Sequence, residues 1–261
     1  MPFKIIKNHG TISFLAQICH FVTAIRVIIA VPDADLSELL VGAFLNALYI
    51  SNIAFIFLLT LNRCDIMFGN KIMPRINRLK FYNYGLIACY IYTIILFLFY
   101  SYPDFNTGFS AEYYEWVFIN NKDWRVDIAL GVQSYSVWTF LSLSTFLYMA
   151  MFLKLLQLRG HTTRKSVISF NDFKLVIHAL LCFASVALLE FFWSGILMNI
   201  YRNEITALIP EILFICVSGC NTIATFLFVR EIRRDVIAFV CCHSGKNFQL
   251  KEAIKTRVTR I

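Results

Sequence analysis

Six runs of about twenty apolar residues constrain this chain more than anything else in it. They lie at 11–31, 39–61, 81–100, 128–153, 175–200 and 206–229. An α-helix rises about 1.5 Å per residue, so each run is long enough to cross about 30 Å of hydrocarbon. Each is apolar all round rather than striped, which suits a segment facing lipid on one side and neighbouring helices on the other. Only 15% of the 261 residues are charged and 59% are hydrophobic. A soluble domain carries about 25% charged residues, so this chain could not cover a water-facing surface. The same figures exclude a disordered chain and a small disulfide-stapled module. The expected fold class is all-α: a polytopic membrane helix bundle over 1–229, then a cytoplasmic amphipathic helix and tail at 230–261.

The basic residues orient the bundle. Twenty Lys and Arg fall in 1–10, 63–80, 154–174 and 230–261, against three (Lys122, Arg125, Arg202) in the alternate connections. Short basic loops stay in the cytosol, so both ends of the chain are expected there, which requires an even number of crossings. Asp33, Glu38, Asp104, Glu115 and Asp127 fall on the other, outer side. The net charge of +8 is thus a cytoplasmic collar beside anionic lipid, and no nucleic-acid partner is expected. The first run is too long for the core of a signal peptide and contains Arg26, so an uncleaved span is expected.

Cys19, Cys89, Cys182, Cys216 and Cys220 lie within runs, Cys64 at an inner boundary, and Cys241 and Cys242 in the tail. With none in an outer connection, no extracellular disulfide is expected. Cys216 and Cys220 have helical spacing but no His or carboxylate beside them, and read as small packing residues; no metal or cofactor is expected. All five prolines lie outside the runs or near a helix start, and no G-x-x-x-G pair occurs. Transporters often build sites from Gly/Pro-interrupted helices in repeated halves, and neither feature is visible. The five histidines are scattered, no hydrolase, nucleotide-loop or zinc pattern is present, and an enzyme is not expected.

Two short motifs stand out. The second run ends Leu61-Asn62-Arg63-Cys64-Asp65, and the sixth contains Cys220-Asn221-Thr222-Ile223-Ala224-Thr225-Phe226 before Arg230-Glu231-Ile232-Arg233-Arg234. Together they resemble the serpentine (G-protein-coupled) receptors, most closely the large nematode chemoreceptor families. These carry a Leu-Asn-Arg version of the receptor Asp-Arg-Tyr motif, and end their seventh helix in Asn-Pro-x-x-Tyr. The resemblance implies that Asn62, Arg63 and Asn221 are signalling-motif residues, with Thr222 and Thr225 replacing Pro and Tyr. It matches the six runs to receptor helices two to seven and places the first receptor helix upstream of Met1. It implies a plasma-membrane chemoreceptor that binds a small molecule and partners a heterotrimeric G protein through cytoplasmic loops. The outer disulfide, the second-helix acid and the Cys-Trp-x-Pro switch of such receptors are missing here. The alternative is a six-helix transporter or membrane scaffold, or a truncated, non-signalling receptor.

Arg63 has two readings: its guanidinium snorkels into headgroups, or it faces the cytoplasmic mouth of the bundle and holds a resting state through polar partners. The ionisable and aromatic groups in the outer halves of the runs make Arg26, Glu190 and Trp193 the candidate ligand pocket, with Arg26 and Glu190 able to pair across the bundle. Glu211 lies near a helix start, where an acid suits the dipole. His20 and His178 are expected to make hydrogen bonds between helices. Ile232, Val236, Phe239 and Val240 have the spacing of an amphipathic helix lying on the inner leaflet. Cys241 and Cys242 follow it, where juxtamembrane lipidation is expected.

Overall fold

The computed structural model describes residues 2–29, 36–69, 77–110, 115–118, 124–160 and 170–193, together with 209, 212–219, 222–223, 233–234 and 237. These form five α-helices: α1 (Pro2–Ile29), α2 (Leu36–Met67), α3 (Arg78–Tyr100), α4 (Trp124–Gly160) and α5 (Phe170–Trp193). A further helical stretch covers 212–219. The chain is an all-α polytopic bundle, with α1 to α4 each long and apolar enough to cross a membrane and α5 holding a shorter apolar stretch, Val176–Phe192. The expected runs at 175–200 and 206–229 extend outside the described residues.

Two features depart from the sequence expectation. Helix α1 starts at Pro2, well before residue 11, because Ile5, Ile6 and His9 are buried against the bundle. The connection after α3 is not simply a loop. A 3-10 turn at Pro103–Phe105 leads into an antiparallel hairpin of β1 (Thr107–Ser110) and β2 (Glu115–Phe118), in which Thr107 faces Phe118 and Phe109 faces Trp116. The Phe109 and Trp116 rings meet edge to face at 5.5 Å, a cross-strand aromatic pair of the kind that stabilises a short ladder.

Helix α2 stands at the centre, touching α1, α3, α4, α5 and β1. Its most apolar window is 78% buried, against 28% for the equally apolar window of α1 and 22% for those of α3 and α4. The cause is a ridge of small residues. Ala43, Ala47 and Ser51 recur every four residues, and all three are completely buried. Such a ridge lets neighbouring backbones approach closely, and in lipid that close packing replaces the missing hydrophobic drive. It is built from Ala and Ser, so a search for Gly pairs passes over it.

The polar side chains of α2 also point inward, and neighbours meet several of them. Ser13 of α1 donates to Asn52 at 3.2 Å, and Thr60 lies 3.2 Å from the Tyr148 hydroxyl of α4. Around this pillar, Tyr92 and Tyr100 of α3 donate to Ser136 Oγ at 2.8 Å and Ala129 O at 3.2 Å in α4. Thr23, Thr93 and Thr145 return their hydroxyls to the carbonyl four residues earlier, so no polar hydrogen is left facing hydrocarbon there. The helix ends have local causes. Gly69, with φ of 64°, stops α2 in a left-handed turn, and its N–H reaches Ile66 O at 3.0 Å. The Asn77 side chain caps α3 by accepting from Lys80 N.

The ridge generates a test. Ala47→Leu forces extra methylenes between packed backbones and is expected to cost about 1–3 kcal/mol. Ile91→Ala, on the exposed face of α3, opens no cavity and is expected to leave the melting temperature almost unchanged. Thermal unfolding of both purified variants in detergent measures the difference.

Candidate functional site

The hairpin packs over the end of the bundle where α2 begins. A β-carbon at Gly42 would overlap the Thr107 carbonyl oxygen and crowd Trp116, so this glycine permits the close approach of hairpin to helix. Beneath the hairpin lies a cavity of about 220 Å³. Gly42, Leu45 and Asn46 of α2 form one wall, Thr107 and Trp116 of the hairpin another, and Gln133 of α4 and Phe214 complete it. Thr107 is buried, and its Oγ1 has no hydrogen-bond partner among the described residues.

No cysteine occurs in 32–40 or 101–127, and polar contacts hold the hairpin down instead. The Glu38 carboxylate accepts the Phe109 N–H at 2.6 Å and pairs with Arg26 at 3.5 Å. Arg26 also donates to the Ser37 hydroxyl. At the start of α4, Arg125 pairs with Asp104 of the 3-10 turn. The Glu38 side chain is only 8% exposed, a setting in which a carboxylate that lies beside a cation and accepts from a backbone amide interacts strongly.

Arg26 therefore does not pair with Glu190. Glu190 accepts instead from the Tyr49 hydroxyl, because α5 presents it to the middle of α2, while Arg26 sits at the end of α1, beside the start of α2. Tyr49 packs edge to face on Phe214 at 5.1 Å, so Glu190 lies behind a cavity wall and does not line it. His20 also stands edge-on to Phe214, at 4.7 Å, and its Nε2 has no hydrogen-bond partner among the described residues. His178 Nε2 lies 3.8 Å from Cys182 Sγ of its own helix. Trp193 is the last residue of α5, and its side chain falls outside the described residues.

The opposite end of α2 carries the second site. Asn62, Arg63 and Asp65 are all buried, Arg63 with 1% exposure. The Arg63 guanidinium is thus enclosed by protein and does not snorkel. Tyr148 and His178 lie within its electrostatic reach. Asp65 Oδ2 pairs with Arg78 Nε at 3.4 Å, fastening the end of α2 to the start of α3. His9 of α1 is fully buried near His178, and neither of its ring nitrogens has a hydrogen-bond partner among the described residues. Asn221, Glu211, Cys241 and Cys242 lie outside the described residues.

Sequence reasoning missed Gly42, Asn46, Thr107, Trp116 and Gln133, because it sought charge and this cavity has none among its described lining residues. The aromatic character of the connection after α3 was the one available signal. It also missed the Asp65–Arg78 pair, although both residues flank the basic connection between α2 and α3. Among the described residues no three His, Cys, Asp or Glu side chains gather as a metal site would require.

Glu38 offers a direct test of how the hairpin is held. Glu38→Ala removes the carboxylate from the Phe109 amide and Arg26, and exchange of the Phe109 amide hydrogen is expected to accelerate roughly ten- to hundredfold, the loss of one charge-assisted hydrogen bond. Glu38→Gln keeps an acceptor oxygen and is expected to fall between that variant and the parent. Hydrogen exchange read by mass spectrometry over the hairpin checks both.

With this geometry described, comparison with known proteins matches residues 36–249 to the family model for the serpentine type 7TM GPCR chemoreceptor Srt. No curated protein and no solved structure matches the chain. The match begins at the first residue of α2 and includes the hairpin, the cavity and Arg63. The chain belongs to the serpentine 7TM GPCR chemoreceptor family Srt.

Proposed function

We propose that this protein is a plasma-membrane chemoreceptor that binds a small molecule in the cavity beneath the hairpin and signals to a heterotrimeric G protein from the other end of α2. The observation that carries this reading is that one helix owns both sites. Gly42 and Asn46 wall the cavity, Arg63 is buried near the opposite end, and α2 runs without interruption between them. At 1.5 Å per residue, Asn46 and Arg63 are about 25 Å apart along the axis.

The basic connections orient the cavity outward and Arg63 toward the cytosol. A ligand acts only if it binds two arrangements of the bundle with different affinity. A rotation or axial shift of α2 is felt at both ends, because its neighbours enclose it and a packed interface passes from one arrangement to another in steps. Asn62, Arg63 and Asn221 form the cytoplasmic signalling motif. The segment 162–172 separates from Arg63 when ligand is bound. Beyond residue 230 the chain lies on the inner leaflet, with Cys241 and Cys242 as acylation sites.

Two measurements test the reading. A compartment-sensitive reporter fused to the C-terminus is expected to report the cytosol; an extracellular signal reverses the orientation and with it the assignment of the two sites. Arg63→Lys keeps a cation but loses the planar five-donor fork. It is expected to insert normally and to alter basal or stimulated G-protein output, with a larger change in Arg63→Ala. Unaltered output from both variants, in cells where the parent chain signals, refutes the role of Arg63. Solute flux without any G-protein response supports a transporter instead.

A further inference from the structure

The cavity's lining narrows what it can bind, given the proposed ligand role. No ionisable side chain is found among its described lining residues. The buried acids nearby are both engaged: Glu38 with Arg26 and the Phe109 amide, Glu190 with the Tyr49 hydroxyl behind Phe214. A charged molecule entering here would lose hydration without meeting a counter-ion among the described lining residues, which is unfavourable. The cavity is nevertheless not purely apolar. Asn46 and Gln133 bring carboxamides to its wall, and Thr107 brings a buried hydroxyl with no partner among the described residues. Thr107 Oγ1 is enclosed between the hairpin and Gly42, so a ligand hydroxyl or carbonyl meets it as the hairpin lifts slightly, while a hydrocarbon leaves it unsatisfied. Trp116 and Phe214 supply aromatic surface.

Volume sets the scale. A closed apolar cavity of about 150 Å³ holds benzene. In proportion, 220 Å³ holds about nine non-hydrogen atoms. We infer that the cavity takes a neutral molecule of about this size, with one ring or short hydrocarbon body and a single hydroxyl or carbonyl group that bonds Thr107. Thr107 is then a specificity-determining residue, because it separates an alcohol or ketone from the hydrocarbon of the same shape.

The test uses four probes built on one benzene ring with a two-carbon side chain, on the full chain in lipid nanodiscs: 2-phenylethanol, ethylbenzene, 2-phenylethylamine and phenylacetate. The expected result is saturable binding of 2-phenylethanol, at least about tenfold tighter than the ammonium and carboxylate probes. Asn46→Trp and Gln133→Trp, which fill the cavity from two different helices, are expected to abolish it. Thr107→Val is expected to weaken 2-phenylethanol roughly three- to tenfold and leave ethylbenzene unchanged. Thr107→Ser, which keeps the hydroxyl, retains affinity and separates a lost hydrogen bond from a disturbed hairpin. If a charged probe binds as tightly as the alcohol and both filling variants still block it, the neutral class is wrong while the cavity remains a ligand site. If no probe binds, or the filling variants leave binding intact, this inference and the ligand role of the cavity fall together.

Discussion

Hydrocarbon offers no hydrogen bonds, so the polar groups of α2 can exist in a membrane only if protein encloses that helix. Glu38, Asn52, Thr60, Asn62, Arg63 and Asp65 are all buried, spread along a helix of 32 residues. The bundle is arranged around that demand. Ser13 of α1, Tyr148 of α4 and Glu190 of α5 each meet a polar group of α2, and Arg78 of α3 meets Asp65 near its end. The ridge of Ala43, Ala47 and Ser51, fully buried, leaves room for neighbouring helices to approach. Small residues and polar residues thus serve one purpose on α2: the first admit the neighbours, and the second hold them in register.

The same enclosure produces the cavity. A helix surrounded along its length still needs a cover at its end. The hairpin supplies it, seated on Gly42 and held by the Glu38 carboxylate through the Phe109 amide. Noncovalent attachment leaves this cover able to move in a way a disulfide would restrict. At the other end, α2 passes into α3 through the Asp65–Arg78 pair, so both ends of the central helix finish in ion pairs with a neighbour. Both pairs join oppositely charged residues from different helices, and such contacts have discrete made and broken states rather than a continuum.

The legibility of the sequence differed from residue to residue for physical reasons. Charge was visible but its partner was not: Arg26 and Glu190 both stand in apolar runs, yet which acid meets Arg26 depends on how α1 lies against α2, and the answer is Glu38. Arg63 was legible as a special position, while its burial followed only from the neighbours that close over it. Thr107, Gln133 and Asn46 carry no unusual signal alone, since a threonine or an amide becomes part of a site only when folding brings it to a common wall. The hairpin was hidden because its strands are four residues each, too short for a clear alternation. The extra turns of α1 were hidden because Lys4 and Lys7 sit among Ile5, Ile6 and His9, and tertiary packing alone decides that the apolar residues face inward.

The sequence by itself determined the all-α membrane class, because run length against bilayer thickness is a one-dimensional property. It also held the motif that pointed to the serpentine receptors and the charge asymmetry between alternate connections, since both are read along the chain. The tertiary structure alone decided which span is central, because α1 and α2 are equally apolar and only contact distinguishes a buried helix from a lipid-facing one. It alone decided where the cavity lies, because a cavity is empty space bounded by residues from α2, the hairpin, α4 and Phe214, and no single stretch of sequence encodes that boundary.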